Sequence, residues 1–175
     1  DDEERVKKAL DEILDRSRRR LEESDEKLDR SLKTLKKLLE ESDRDLERIL
    51  EKAERDGVPR EVLEELKKLV EKHKKDNREL LRATEERVKR HKDTNRRLLE
   101  EDRRKIETWK EIIDRGELSR EELEEAVRRN DEESKKTVDD SRRHVDELHR
   151  RNEKLIEESK DHVRRLEEEL RKKSK

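Results

Sequence analysis

Apolar residues recur at helical spacing along the whole chain, and small polar residues alternate with them. In the first third, one stripe holds Leu10, Leu14, Ser17, Leu21, Ser24, Leu28, Ser31, Leu35, Leu38, Ser42, Leu46 and Ile49. A stripe with a period of about 3.6 residues is typical of an amphipathic helix that faces a core. Serines on a protein surface would have no reason to follow this helical period, whereas these serines do. The pattern therefore predicts helices whose buried faces carry ordered polar groups.

Two short segments carry the signals that end a helix, and the first is residues 55–59. Gly57 suits the left-handed conformation just past a helix, and Val58 can fold back on the last turn. Pro59 has no amide hydrogen and suits the first turn of the next helix. This segment predicts a tight connection between two helices.

The second segment is residues 115–119. Gly116 is again suited to the end of a helix. Ser119 and Glu122 have the spacing of a capping box, in which each side chain bonds the other residue's free amide. The chain is thereby divided into three predicted helices, at about 3–55, 60–115 and 120–173.

The helix pattern and the short connections together predict the fold class. Short connections place successive helices antiparallel, so we expect an all-α, up-down-up bundle of three long, nearly straight helices. Residues 1–175 are expected to form a single extended helical-bundle domain.

An 18-residue repeat runs through all three predicted helices. His73 and Asn77 return as His91 and Asn95 in the second helix. Eighteen residues make about five whole turns, so a seam with this period stays on one side of a straight helix. The repeat is the reason for expecting little supercoiling.

Antiparallel alignment from the loops brings polar residues of the three helices into common layers. Facing residue numbers should sum to about 115 for the first two helices and about 234 for the last two. One layer gathers Ser42, His73, Asn77, Ser159 and His162, and its repeat gathers Ser24, His91, Asn95, Ser141 and His144. Further layers bring Thr84 near Ser31 and Asn152, and Asp102 near Ser134 and Asn130. We expect buried hydrogen-bond networks at these positions.

These features resemble those of de novo designed helical bundles with buried hydrogen-bond networks. The resemblance covers the whole chain and rests on the straight-helix repeat, the glycine loops and the Ser, Asn, His and Thr layers between leucine layers. It implies a structural or interaction role without natural biochemical activity. Designed bundles of this kind include closed scaffolds, homo-oligomers, split-bundle heterodimers and switchable cages, and the resemblance does not choose among them.

Composition and charge narrow the possible functions. Charged residues make up 61% of the chain and hydrophobic residues 25%, which can fill narrow seams between helices but not a broad sheet core. The formal net charge of −2 gives no general attraction to nucleic acid or to a membrane surface. No targeting motif or membrane-length apolar run is evident. We therefore expect a soluble protein, produced recombinantly in a cytoplasm, with no small-molecule substrate.

Histidine and serine invite two sharper interpretations, a metal site and a hydrolase. Each histidine layer offers only two imidazoles, whereas protein zinc sites use three or four protein ligands. A hydrolase needs an oxyanion hole, and straight helices offer no free backbone amides for one. We therefore expect no enzyme, cofactor or metal site. His149 is expected at the surface or at the boundary of the core, and Trp109 is expected in the core.

Two functions remain open, and the width of the buried stripes, about 100–120°, favours the first, because a four-helix bundle needs a wider buried face on each helix than a three-helix bundle. In the first, a cognate designed helix or chain, or a second copy of this chain, completes a four-helix or larger bundle. In the second, the chain is a self-contained three-helix scaffold or switch cage. In both cases burial of neutral histidine should lower the pKa of the imidazole and reduce stability in acid.

Overall fold

The structure is a computed structural model, and it describes residues 2–117 and 119–173. Three α-helices account for nearly all of these residues, and no strand occurs in the same ranges. Helix α1 spans Asp2–Arg55, α2 spans Arg60–Arg115 and α3 spans Arg120–Lys173. The all-α fold class and the three helices predicted from the sequence are therefore confirmed.

Glycine ends the first two helices. Gly57 has a φ of 69° and Gly116 a φ of 67°, in the left-handed region that a side chain disfavours. After α1, the Gly57 amide donates to the carbonyl oxygen of Glu54, and the Val58 amide donates to that of Ala53. This two-bond Schellman arrangement satisfies carbonyl groups that the helix end leaves free.

The connection between α2 and α3 uses the same ending and adds a cap. The Gly116 amide donates to the carbonyl oxygen of Ile113, as in the first connection. The hydroxyl of Ser119 then accepts a hydrogen bond of 3.2 Å from the Glu122 amide, which is half of the predicted capping box. Leu118, also within the predicted connection, lies outside the described residues.

The residues group into two compact units, and each unit takes one segment from every helix. The first unit contains Asp1–Asp29 and Val88–Val145, and the second contains Arg30–Arg87 and Asp146–Lys175. Within each unit, the segments of α1 and α2 run antiparallel to each other. In the first unit Asp11 pairs with Lys110 and Asp29 pairs with Lys92, so the numbers rise along one helix and fall along the other.

Each unit has its own apolar core. In the first unit Leu10, Ile13 and Ile106 are buried, and Trp109 packs against them as expected. The second unit contains two clusters, formed by Leu46, Ala53, Leu66, Val70 and Val163, and by Leu35, Leu39 and Ile156. Apolar burial of this kind contributes about 25 cal/mol per Å² and has no directional preference. The leucines hold the helices together without fixing their register.

The outer surface of the helices is charged. Many oppositely charged residues pair within one helix at i,i+3 or i,i+4 spacing, for example Arg128 with Glu132. Such exposed pairs contribute about 0.3–0.5 kcal/mol each. Within the described residues, no helix has an apolar stretch of the length that crossing a bilayer requires.

We expect Gly57→Ala to lower the free energy of unfolding by about 1 kcal/mol, because alanine is strained at a positive φ. A Cβ atom at this position would meet no atom within 4 Å, so the effect is that of the backbone alone. Urea denaturation measures the change. Glu51→Ala, at an exposed position in α1, is the control and should have little effect. Equal stability of Gly57→Ala and the parent chain would contradict this account of the loop.

Candidate functional site

One buried polar group of the second unit is centred on Asn77. The Asn77 side-chain amide donates to the Ser42 hydroxyl at 3.3 Å and to a carboxylate oxygen of Asp43 at 3.0 Å. Asn77 and Ser42 are 6% and 0% exposed. Both amide protons therefore have acceptors on α1, and the buried hydroxyl has a donor.

The first unit repeats this arrangement 18 residues away. The Asn95 amide donates to the Ser24 hydroxyl at 3.2 Å and to Asp25 at 2.8 Å. Asn95 and Ser24 are also buried. We call each set of Asn, Ser and Asp an asparagine clamp. The recurrence of the same three residue types with the same partners shows that the sequence repeat is a repeat of contacts.

Histidine and serine join α2 to α3 one turn before each asparagine clamp. His73 Nδ1 lies 2.6 Å from the Ser159 hydroxyl oxygen, and His91 Nδ1 lies 2.9 Å from that of Ser141. His73 is 8% exposed, whereas Ser159, His91 and Ser141 are half-buried. The predicted pairing of these residues across α2 and α3 is confirmed.

Two histidines expected in the buried layers lie elsewhere. His144 and His162 are both exposed. Their positions fall at the edge of the α3 stripe, where Val145 and Val163 occupy the buried face instead. The expectation that these two imidazoles are buried is therefore wrong. His162 still contacts the layer, because its ring packs edge to face against His73 with centroids 5.6 Å apart.

A buried carboxylate organises a third polar group, which we call the Asp102 cluster. Asp102 is 6% exposed and accepts hydrogen bonds from the Ser17 hydroxyl at 2.5 Å and the Asn130 amide at 3.2 Å. The ammonium of Lys105 donates to the side-chain oxygen Oδ1 of Asn130 at 3.0 Å. Asp102 thus draws donors from both neighbouring helices.

Two serines predicted in these layers, Ser134 and Ser31, do not form the hydrogen bonds that were expected of them. Ser134 is 7% exposed, and its hydroxyl has no hydrogen-bond partner among the described residues. Ser31 is half-buried. It was expected beside Thr84, but the Thr84 hydroxyl donates to its own helix, at the Leu80 carbonyl, and accepts from the buried Asn152 amide at 3.2 Å. Only the Thr84–Asn152 half of that predicted layer is seen as a hydrogen bond.

The register of α1 against α2 differs from the predicted one by about one helical turn. Ser17 with Asp102, Ser24 with Asn95 and Ser42 with Asn77 each have residue numbers that sum to 119 rather than about 115. Side chains lean toward the N-terminus of their own helix, so the residue that covers a given spot lies further along the chain. In an antiparallel pair a lean of about one position on each helix raises the sum of facing residue numbers by about two, which accounts for about half of the difference.

Sequence reasoning missed four partners of the networks, namely Ser17 as a donor, Asp25, Asp43 and Lys105. A signal for two of them was present, because Ser-Asp recurs at Ser24-Asp25 and Ser42-Asp43 with the 18-residue period. A carboxylate next to a buried serine can accept the second proton of a facing amide.

Burial sets the electrostatics of His73. Loss of solvation lowers the pKa of its imidazole below the ordinary value of 6.5, and the neighbouring His162 lowers it further. The carboxylate of Asp76 acts in the opposite direction and is outweighed. His73 is therefore neutral at neutral pH, as a buried network member should be.

The surroundings of the His73 ring differ from those of a catalytic triad. The nitrogen Nε2 of His73 has no hydrogen-bond partner in the described part of the chain, so no acid orients this ring as a Ser–His–Asp triad requires. Within the same residues, no three His, Cys, Asp or Glu side chains are grouped to hold a metal ion. His149, expected at the surface or at the boundary of the core, is about one-quarter exposed and lies 3.0 Å from Glu153. What the layers do is match donors to acceptors across helices.

No protein-family model, curated protein sequence or solved structure matches this chain.

Asn77→Ala should lower the free energy of unfolding by about 1–3 kcal/mol, because the buried Ser42 hydroxyl and the Asp43 carboxylate lose a donor. Urea denaturation of Asn77→Ala, Ser42→Ala and the double variant forms a double-mutant cycle. We expect the double variant to lose less stability than the sum of the singles. The equivalent cycle at Asn95 and Ser24 should give a similar coupling energy, and additive effects at both clamps would contradict the pairing.

The Asp102 cluster allows two serine-to-alanine changes to be compared. Ser17→Ala removes a donor to a buried carboxylate and should cost about 1.5–3 kcal/mol. Ser134→Ala removes a buried hydroxyl that has no assigned partner, so stability should stay the same or rise. Thermal and urea unfolding measure the free energy of unfolding of the two variants and of the parent chain. A larger loss for Ser134→Ala than for Ser17→Ala would overturn the assignment.

The lowered pKa of His73 makes stability depend on pH with a definite sign. Above about pH 6.5 the imidazole is neutral in both states. Below that pH the unfolded chain binds the proton first, so stability falls until pH reaches the lower folded-state pKa. Urea denaturation between about pH 7.5 and pH 5 should show this loss. His73→Gln should lack the His73 part of it, and identical pH profiles for the two proteins would contradict the burial effect.

Proposed function

We propose that this chain is a non-catalytic structural scaffold, self-contained as three helices, whose buried polar groups fix the register of the helices. The observation that carries this proposal is the repeated asparagine clamp, in which Asn77 and Asn95 each bond a serine and an aspartate of α1. The same construction is what the resemblance to designed bundles implies. Of the two functions open from the sequence, the closed scaffold is the better supported.

Contacts among all three pairs of helices support closure within each unit. In the first unit α1 meets α2 at the Asn95 clamp, α2 meets α3 at His91 and Ser141, and α1 meets α3 where Arg20 pairs with Asp131 at 3.1 Å. A three-helix core has only these three seams. Contacts at all three seams support the proposal that this unit is complete with three helices.

The second unit has contacts at the same three seams. There α1 and α2 meet at the Asn77 clamp, and α2 and α3 meet at Thr84 and Asn152. The seam between α1 and α3 contains Lys160, which is 9% exposed and whose ammonium lies 3.2 Å from a carboxylate oxygen of Asp45. A buried ammonium with a carboxylate partner is costly to separate, so this pair favours a closed seam.

The alternative is an interaction module that a partner helix or a second copy completes. An apolar groove in the first unit favours it, with a volume of about 230 Å³ between the start of α1 and the start of α3. The groove is lined by Val6, Ala9, Leu10, Ile13, Leu123 and Val127, among others. Among the described residues, Leu155 in the second unit is the exposed large hydrophobic side chain, at 47%. Both features are local, whereas a stable interface buries roughly 1,200–2,000 Å² of total surface.

Size-exclusion chromatography with light scattering distinguishes the two functions. The scaffold should elute as a monomer with a mass of 21.5 kDa over a wide range of concentration. A dimer or larger species would contradict self-containment. In that case Ala9→Glu, which places a charge in the groove, should restore the monomer if the groove is the contact, whereas Lys8→Glu at an exposed position should not.

A further inference from the structure

The apolar groove of the first unit has the size of a small-molecule site. It lies between the start of α1 and the start of α3 and has a volume of about 230 Å³. An apolar cavity of about 150 Å³ holds a benzene molecule, whereas pockets for drug-sized ligands have about 300–1,000 Å³. In proportion, the groove has room for about nine carbon atoms. Its size therefore suits a short alkyl chain.

Core residues make the groove a preformed feature of the unit. Leu10, Ile13 and Leu123 line it and are at most 8% exposed, so packing fixes their positions. Val6 and Val127, which also line it, are half-buried. An alkyl chain in the groove would remove apolar surface from water, which strengthens binding by up to about fourfold for each methylene group buried.

The groove lies at a place where the second unit has an ion pair. In the second unit the seam between α1 and α3 contains Asp45 and the buried Lys160, whose charged groups lie 3.2 Å apart. The residues two 18-residue repeats earlier, in the first unit, are Ala9 and Glu124, and both line the groove. Alanine is short and uncharged, so it neither fills the seam nor pairs with a residue of α3. The seam therefore keeps an open apolar space here.

The charged residues that line the groove are two arginines and one glutamate. The Nε atom of Arg120 lies 3.2 Å from Oε1 of Glu124, so these two charges balance each other. Arg5 forms no ion pair within the part of the chain that the structure describes, and the residues three and four positions further along α1 are Lys8 and Ala9. One guanidinium therefore remains for an anion, and its planar group matches the two oxygens of a carboxylate.

Acidic residues lie next to the groove in sequence but do not line it. The first turn of α1 contains Asp2, Glu3 and Glu4, and that of α3 contains Glu121 and Glu122. None of these described carboxylates is part of the groove wall. All five residues are exposed, where water and salt screen their repulsion of an anion. The attraction of an anion to the groove therefore depends on direct contact with the unpaired guanidinium.

We propose that the groove binds a small alkyl carboxylate of about nine carbon atoms. Its chain lies on Leu10, Ile13 and Leu123, and its head group pairs with Arg5. The ligand is bound and not converted, so this site is an addition to the scaffold function. A protein partner fits the groove less well, because a stable interface buries roughly 1,200–2,000 Å² of total surface. Binding requires the groove to be uncovered, as it is in a monomer.

The test titrates the full chain with nonanoate in isothermal titration calorimetry, below the concentration at which nonanoate forms micelles. We expect saturable binding of one nonanoate per chain. The single tryptophan, Trp109, packs against the cluster that contains Leu10 and Ile13, so its fluorescence should change with the same dissociation constant. Heptanoate, which is two methylene groups shorter, should bind about tenfold more weakly. The uncharged 1-nonanol should bind about three- to fivefold more weakly than nonanoate.

Three variants separate the roles of the groove and of the charge. Ala9→Leu fills the groove and should abolish nonanoate binding, and because Ala9 is exposed this variant should fold, which circular dichroism checks. Lys8→Leu adds the same side chain at the next position, which is exposed and does not line the groove, and it should bind nonanoate like the parent chain. Arg5→Gln should weaken nonanoate binding by about three- to fivefold and leave 1-nonanol binding unchanged.

Three results of the titrations would each overturn the proposal. They are the absence of nonanoate binding to the parent chain, equal losses of affinity in Ala9→Leu and Lys8→Leu, and equal affinity of Arg5→Gln and the parent chain for nonanoate. Light scattering tests the other possible occupant of the groove. A dimer that nonanoate does not dissociate and that Ala9→Leu disrupts would assign the groove to a second copy of the chain, and would also overturn the proposal.

Discussion

The cost of burying a polar group without a partner constrains the whole of this bundle. Ser42 is fully buried, and Asn77, Asn95 and Asp102 are at most 6% exposed. Each would be destabilising by about 1–3 kcal/mol if left unpaired. Because their partners lie on other helices, any displacement of one helix against another breaks several of these hydrogen bonds together. The polar groups therefore act less as a source of cohesion than as a condition on which arrangement of helices is stable.

Cohesion comes from the apolar residues, and the two kinds of residue have separate roles. Leu35, Leu46 and Leu66 are at most 1% exposed, and they would find similar surroundings after a shift of one turn, because leucines recur along every helix. A leucine core alone would leave several registers close in energy. Asparagine and serine give up part of the available apolar burial, and in return they distinguish these registers. The charged residues lie on the outer surface of the helices, and the two glycines end the first two helices, so both features fit a bundle of three helices.

Much of the fold could be predicted from sequence because its signals are local. Gly57, Pro59 and Gly116 mark helix ends through their own backbone preferences. The layers were predictable in part: the 18-residue repeat carries His73 and Asn77 to His91 and Asn95, which do form buried contacts, but it also placed the exposed His144 and His162 in the layers. The hydrogen-bond partner of each polar residue depends on how the helices are aligned in space, and the sequence alone does not give that alignment. The lean of side chains contributes to the shift that places Asn77 on Ser42, where His73 was expected. On α3, Val163 is buried and its neighbour His162 is exposed.

The central claim, that buried polar groups select the register, is tested most directly by a distance across α1 and α2 in the second unit. The chain has no cysteine, so spin labels can be placed at Lys52→Cys and Glu79→Cys, both on exposed helical positions. Double electron–electron resonance would compare this protein with a variant carrying Ser42→Ala, Asn77→Leu, Thr84→Val and Asn152→Leu. The account predicts one narrow distance in the first protein and, in the variant, a broad distribution or added peaks displaced by about 5.4 Å, the length of one turn. The same narrow distance in both proteins would contradict it, and would mean that the leucines and the loop suffice to set the register.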